Sequence, residues 1–283
     1  MGTDILKICA GIVTYNPDIS RLKDNYAHIK DQVDFVVICD NGSDNIDEIS
    51  SLLTGGEDTI IKLDENKGIA YALNRLCEYA KDKYYKWILT LDHDSVCPDD
   101  MVGRLSKHCA DSVSIVCPRI LFKGNEEYSA KFNDDIEYPE WVISSGSLTN
   151  TDVWNAIGGF DDKLFIDKVD TDYCIRANRA GYKIVRDNTV VLDHELGSLK
   201  CKKLFGRIIY VTNHSPMRIY YQCRNIYYLS KKIGLKHPFI ETMKIKTKIR
   251  LYEDNKTEKL KQAGRGIADG RALAKDIVFK GNR

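Results

Sequence analysis

Trp87-Ile88-Leu89-Thr90-Leu91-Asp92-His93-Asp94-Ser95 is a short apolar run that ends in two carboxylates. Trp87 to Leu91 suit a strand, and a run this short and apolar fits one covered on both faces. Asp92 and Asp94 stand two apart, so an extended chain points both side chains to the same side. Like charges held together call for something positive between them. A hard divalent cation, Mg²⁺ or Mn²⁺, is the usual solution and completes its shell with substrate phosphates. A solvated acidic loop after a strand carries the same three letters, so the neighbouring stretches have to decide.

Upstream, Ile8 to Val13 is a continuous apolar run ending in Thr14-Tyr15-Asn16-Pro17, and Leu22, Tyr26 and Ile29 then recur at helical spacing. Phe35 to Cys39 is a second such run, ending in Asp40-Asn41-Gly42-Ser43. Ile46 to Leu53 reads as helix and Thr59 to Leu63 as strand; Asn66-Lys67-Gly68 opens a helix with Ala70, Leu73, Leu76 and Cys77 on its inner face. Downstream, a helix starts at Asp99 or Asp100 and a strand covers Val113 to Cys117. Strands alternating with helices predict an α/β fold with a parallel, doubly wound sheet. Such sheets bind ligands at the carboxyl ends of their strands. Tyr15, Asp40, Asn66 and Asp92/Asp94 each follow such an end, and one shared ligand explains four polar clusters better than four separate loops. No G-x-G-x-x-G or Walker loop is present in this half, which disfavours a dinucleotide or a P-loop nucleotide.

The second half changes character. Tyr138 to Ser147 reads as a strand running into a polar turn, and Thr151 as the cap of a short helix ending at Gly158-Gly159. Phe165-Ile166-Asp167-Lys168-Val169-Asp170-Thr171-Asp172 leads into a helix through Cys174 and Ala177. The dipole of that helix accounts for one of Asp170 and Asp172, but not for Asp167 as well. Lys183 to Asp193 carries one or two short strands, followed by His194, and helices dominate from Pro216.

Composition is that of an ordinary globular protein, 43% hydrophobic and 29% charged over 283 residues. The nine cysteines include no C-x-x-C pair, which argues against zinc ribbons and thioredoxin-like chemistry. Several sit in apolar runs as small hydrophobes, which points to a reducing cytoplasm. The first residues lack a signal-peptide pattern, and no apolar stretch is long enough to span a bilayer. A net charge of +1 hides an asymmetry: from Lys200 to Arg283, 21 Lys and Arg face 6 Asp and Glu. A basic end region suits an anionic partner such as a membrane surface or a phosphorylated acceptor, or is a solvated helical face.

With these residues in place, the chain resembles family 2 glycosyltransferases, inverting enzymes of the A-type fold that use nucleotide-sugar donors, and among them bacterial rhamnosyltransferases. The resemblance runs from about Ile8 to Asn225. It rests on V-T-Y-N (13–16), D-N-G-S (40–43), N-K-G-I-A-Y-A-L-N (66–74), L-D-H-D-S (91–95), G-G-F-D (158–161), F-I-D-K-V-D-T-D-Y-C-I-R (165–176), D-H-E-L-G (193–197) and Y-Y-Q-C-R-N (220–225). Each motif is weak alone; their shared order carries the assignment. It implies a Rossmann-like, mostly parallel sheet over 1–200, with a nucleotide half to about 117 and an acceptor half over 118–200. A helical basic region covers 201–283.

The resemblance also implies roles. Asp40 would bind the base and ribose of the donor, with Thr14, Tyr15 and the Asn66–Gly68 turn alongside. Asp94 would hold the cation and Asp92 the cation or ribose; His194 falls where a third metal ligand stands, and its softer imidazole favours Mn²⁺. Asp170 matches the catalytic base that takes the proton from the acceptor hydroxyl, with Asp172 and Asp167 as runners-up because Val169 stands where the family has an acid. Arg224 suits either the diphosphate or an interhelical salt bridge. Trp141, Ser145, Gly146 and Asp172 are candidates for acceptor binding, and Trp141 and Trp154 for either sugar stacking or core packing.

The expected activity is metal-dependent, inverting transfer of a sugar, rhamnose from dTDP-rhamnose first, onto a cell-surface polysaccharide or lipid-linked glycan. A UDP-sugar donor (galactose, galactofuranose or N-acetylhexosamine) is the alternative of the same fold, and a catalytically inactive nucleotide-sugar-binding protein the alternative of another class. Nucleic-acid binding lacks a motif and leaves the acidic crevice unexplained. A cytoplasmic enzyme, peripheral at the inner face of the membrane and able to form a homodimer through its helical end, completes the expectation.

Overall fold

The computed structural model describes residues 6–53, 56–122, 134–194, 200–204 and 207–280; for 122, 194, 200–204, 207–210 and 278–280 it describes the backbone alone. The chain parts into two compact units, Met1–Lys163 with Tyr173–Glu195, and Leu164–Asp172 with Leu196–Arg283.

In the first unit, three β-α repeats and a fourth strand follow the expected alternation: β1 (Ile8–Thr14), α1 (Ile19–Ile29), β2 (Val36–Asp40), α2 (Ile46–Ser51), β3 (Thr59–Lys62), α3 (Ile69–Asp82) and β4 (Trp87–Asp92). After them come α4 (Met101–Leu105), β5 (Val113–Phe122), β6 (Ile136–Glu137), β7 (Ser147–Asn150), α5 (Thr151–Ala156), α6 (Val169–Arg179) and β8 (Lys183–His194). One sheet takes all eight strands in the order β3-β2-β1-β4-β7-β5-β8-β6. Every residue of β1 and β2 is buried, as continuous apolar runs demand of strands packed on both faces. Trp87, Leu89 and Leu91 of β4 join Ile12, Ile38, Leu22 and Ile29 in the main core.

The mostly parallel sheet is as expected, but its second half is mixed: β7 runs antiparallel to both β4 and β5, and β6 antiparallel to β8. Residues 138–146 form no strand; Pro139 lacks an N–H, and Ser147 N–H closes a turn on Ser144 O at 3.1 Å instead. Asn150, not Thr151, caps α5, accepting from the N–H groups of Asp152 and Val153. Lys183 to His194 is one long strand with an irregularity after Asp187, where the register against β5 jumps from Pro118↔Asp187 to Arg119↔Val191. Asp187 folds that irregularity by accepting both the N–H (2.9 Å) and the hydroxyl (2.5 Å) of Thr189. All eight cysteines described are free thiols, and all but Cys109 are buried.

The second unit holds the first turn of α6 and everything beyond β8. The basic region expected to be helical opens with a hairpin, β9 (Lys200–Leu204) against β10 (Arg207–Val211). Arg207-Ile208-Ile209-Tyr210-Val211 is rich in β-branched residues, the signal that its cationic neighbours masked. Then follow α7 (Pro216–Lys232), α8 (Pro238–Tyr252) and α9 (Lys256–Lys280). Ile219 and Cys223 of α7, Ile249 of α8 and Ala263 of α9 make its core. A Cβ on Gly266 or Gly270 would stand 2.2 Å from Tyr220 O and 2.3 Å from Arg224 O, so α9 crosses α7 backbone to backbone.

His214, just before α7, is half-buried, and its loss of solvent together with Arg218, Lys248 and Lys259, against the opposing Asp167, lowers its pKa from 6.5 to about 4. The unfolded chain therefore takes up this proton near pH 6.5 and the folded one only near pH 4. Stability from neutral His214 is complete above pH 6.5 and falls as the pH drops toward 4. Thermal midpoints measured across that window should show a steeper decline for the wild type than for His214→Gln; parallel curves would contradict the shift.

Candidate active site

Register assembles the first group of site residues. β2, β1 and β4 are parallel neighbours, with Thr14 opposite Asp40 and Val13 opposite Asp92, so their carboxyl ends share one edge of the sheet. Thr14 Oγ1 donates to Asp40 Oδ1 at 2.8 Å, and Ser43 donates to the same carboxylate from its N–H (2.9 Å) and its hydroxyl (2.5 Å). Asp40 is only 1% exposed, so these bonds compensate a buried carboxylate and set the D-N-G-S loop. Asn41 carries the order onward: its amide donates to Asn66 Oδ1 (3.1 Å), and its own Oδ1 accepts from Lys67 N–H (2.8 Å). Asn66 Oδ1 also takes Gly68 N–H at 3.0 Å; Gly68, at φ 90°, has the backbone that lets α3 begin there. Thr14, Asp40, Asn66 and Gly68 thus form one hydrogen-bonded group, with Tyr15 exposed beside it.

Asp92 and Asp94 do not follow the pleat. β4 stops at Asp92 and the chain turns, Ser95 N–H reaching Asp92 O at 3.3 Å, so a turn sets the relation of the two carboxylates. Asn25 Nδ2 holds Asp92 O at 2.7 Å, and Ser145 Oγ accepts Asp92 N–H at 3.1 Å while contacting Ser95 Oγ at 2.9 Å. Ser145 and Gly146, candidates for acceptor binding, are buried and brace this turn, Gly146 through its N–H to Thr90 O at 2.8 Å. Asp94 is half-buried and makes no hydrogen bond or ion pair among the described residues. Just beyond the turn, Val96 pairs with Asp193 in an antiparallel bridge, which brings the backbone of neighbouring His194 to the D-H-D-S turn. The side chain of His194 lies outside the described part. Trp141 is 49% exposed, whereas Trp154 is buried and donates to Asn74 Oδ1 at 2.9 Å.

The second unit contains the other group. Phe165, Asp167 and Lys168 all have left-handed backbone, at φ 60°, 65° and 66°. For such side chains that geometry costs roughly 1–2 kcal/mol each. Asn225, fully buried in α7, offsets it by donating to the carbonyls of Leu164 (2.9 Å), Ile166 (2.9 Å) and Asp167 (2.8 Å). Phe165 stacks on Tyr221 at 4.6 Å, and Arg218 pairs with Asp167 at 3.2 Å. Arg224 lies over the Tyr221 ring, 4.6 Å from its centre, and donates to Leu164 O at 3.1 Å and Asn225 Oδ1 at 2.8 Å. Of the three aspartates, Asp172 is buried and bonded to Lys232 at 2.8 Å, Asp167 is held by Arg218, and Asp170 is half-buried in the first turn of α6.

The family model described as Glycosyl transferase family 2 matches residues 9–185, from β1 into β8. The chain belongs to glycosyl transferase family 2. It is a glycosyltransferase and rhamnosyltransferase-like: over 241 residues, 80% of either chain, it is 30% identical to a dTDP-rhamnosyl transferase, RfbF, of Shigella flexneri. Two solved glycosyltransferases share its A-type fold. Against mannosyltransferase PcManGT from Pyrobaculum calidifontis, in complex with GDP-Man and Mn²⁺, the TM-score is 0.58 at 15% identity, covering 97% of this chain and 79% of that one. Against GalNAc-T7 with UDP, GalNAc and Mn²⁺ it is 0.57 at 12%, covering 83% of this chain and 52%, about half, of the other.

The donor set of this glycosyltransferase fits a hard cation. Asp92 and Asp94 offer carboxylate oxygens at one strand end, and among the described residues no third His, Cys, Asp or Glu joins a metal-binding group. Two carboxylates with the remaining positions left to phosphate oxygens and water is a set that Mg²⁺ or Mn²⁺ accepts.

Three residues of the glycosyltransferase escaped assignment from sequence. Ser43 and Asn225 lie inside quoted motifs: Ser43 bonds Asp40 three residues before it, a spacing that a turn-forming aspartate could have signalled, whereas Asn225 acts on distant backbone carbonyls that no spacing rule reveals. Asn74, last of N-K-G-I-A-Y-A-L-N, holds the G-G-F-D turn through Phe160 N–H and O (2.8 Å each) and Asp162 Oδ1 (2.7 Å). Replacing Asn225 by the similarly sized Leu removes two N–H donors, shared among three carbonyls, and the oxygen that accepts from Arg224, bonds worth about 1 kcal/mol each. Amide exchange across 164–168 should then quicken by about two orders of magnitude; unchanged exchange would mean that the loop holds its left-handed form without Asn225.

Proposed function

We propose that the protein transfers a sugar, with inversion, from a nucleoside diphosphate donor to a glycan acceptor, and that the donor is dTDP-rhamnose. The observation that carries the reading is the convergence of Thr14, Asp40, Asn66, Gly68, Asp92 and Asp94 at the carboxyl ends of β1 to β4. The identity to a dTDP-rhamnosyl transferase supports rhamnose.

In this reading the Asp40 network presents the edge that receives the nucleoside, with Tyr15 exposed to stack or bond. Asp92 and Asp94 hold the cation, with His194 as a third ligand. Bound there, a divalent ion would neutralise charge developing on the departing diphosphate. Asp170 takes the proton from the acceptor hydroxyl. The match of Asp170 to the base position of the family motif favours it among the three; Asp172 and Asp167 are the runners-up. A carboxylate in this role contributes about 10²–10⁴-fold. Arg224, set on the aromatic pair and the Leu164 carbonyl, acts by positioning the loop rather than by gripping phosphate.

Asp170→Asn should lose that factor in sugar transfer while binding dTDP with unchanged affinity in calorimetry. Asp94→Ala should lose the enhancement of nucleotide binding by Mn²⁺. Normal transfer by Asp170→Asn moves the role to another aspartate, and metal-independent binding by the wild type removes the cation from the reading. Nucleotide release measured across dTDP-rhamnose, UDP-galactose and UDP-N-acetylhexosamines tests the donor.

A further inference from the structure

The second unit carries an apolar surface that its own packing does not use. α8 turns Thr242, Ile245 and Ile249 inward, toward its core with α7 and α9. On the other side Phe239 is 65%, Ile240 49%, Met243 37% and Leu251 54% exposed. At about 100° per residue, these four fall with Lys244, Thr247 and Arg250 within one arc of roughly 140°. Lys246 flanks one border of the arc and Lys248 the other. Between Lys231 and Arg250 seven Lys or Arg stand against a single acid, Glu241.

α8 is apolar on its inner side as well, so it is not amphipathic as a whole, but its outward face sets Phe, Ile, Met and Leu among cations, the chemistry that an anionic membrane interface takes up. An aqueous surface has no use for four exposed apolar side chains in line, and a protein partner that covered them would also have to neutralise a band of positive charge. We propose that the outer face of α8 docks the enzyme on an anionic bilayer, with Phe239, Ile240, Met243 and Leu251 inserted among the acyl chains and Lys244, Lys246, Lys248 and Arg250 at the headgroups. The helix lies flat on the surface: among the described residues no helix is long and apolar enough to cross a membrane. The argument uses none of the residues assigned to the donor, so the proposal stands or falls apart from the choice of sugar.

The full chain is sedimented with vesicles of phosphatidylethanolamine and phosphatidylglycerol, and with vesicles of phosphatidylcholine alone. It should partition onto the anionic vesicles at least tenfold more than onto the neutral ones, and less as salt rises. Phe239→Ser/Ile240→Ser/Met243→Ser should cut binding at least tenfold. Lys244→Glu/Arg250→Glu, at two exposed positions of which Lys244 pairs with Glu241 on the same helix, should do the same with an unchanged circular dichroism spectrum. Equal binding to both vesicle types, no binding by the wild type, or full binding by the charge-reversed variant overturns the proposal. So does a wild-type dimer in sedimentation velocity that the serine variant dissolves while vesicle binding persists, because the face would then belong to a second copy.

Discussion

The hydrogen bond from Thr14 to Asp40 joins the ends of two parallel strands around a carboxylate that water cannot reach. A buried charge without donors is costly enough that the fold must supply them. Ser43 supplies two more, and the D-N-G-S loop is thereby fixed to one shape. The same loop then orders Asn66 and the start of α3 through Asn41. This edge of the sheet is therefore a chain of mutual dependence that starts at one desolvated group. Asp92 and Asp94 are set by different means, a turn braced from a distant segment through Ser145. Rigid support of this kind leaves Asp94 without a described protein partner, which suits a residue whose partner is a ligand.

The second unit solves a comparable problem with backbone rather than charge. Three left-handed residues precede α6, and Asn225 with the Phe165–Tyr221 stack keeps them so. The strain is local and its restraint comes from α7, so the position of the first turn of α6 is decided outside its own sequence.

The β-α alternation was legible because β1, β2 and β4 are apolar runs each closed by a polar residue, and burial on both faces leaves no other use for such runs. The order of motifs carried the family. The turn after Asp92 was not legible, because what bends the chain there is Ser145, far along the sequence. The polar turn read at the end of 138–147 is present, with Ser147 N–H on Ser144 O, but the apolar residues before it form no strand. The β9–β10 hairpin was missed because its lysines were read as solvated helix. Ser145 and Gly146, candidates for acceptor contact, are buried and brace the turn after Asp92, a role their sequence does not signal. Residues that act through carbonyls, as Asn225 does, carry no periodic signal at all.

The glycine-mediated crossing of α9 over α7 has a bearing on how the chain matures. The segment from Leu164 to Asp172 leaves the ribosome well before the helices that restrain it, and the strands of the first unit can pair while it waits. Only when Gly266 and Gly270 have been added and pressed against α7 does the last support close. A nascent polypeptide halted before that point would have its Thr14–Asp40 network and still lack the packing of α9 on the helix that restrains the 164–168 loop.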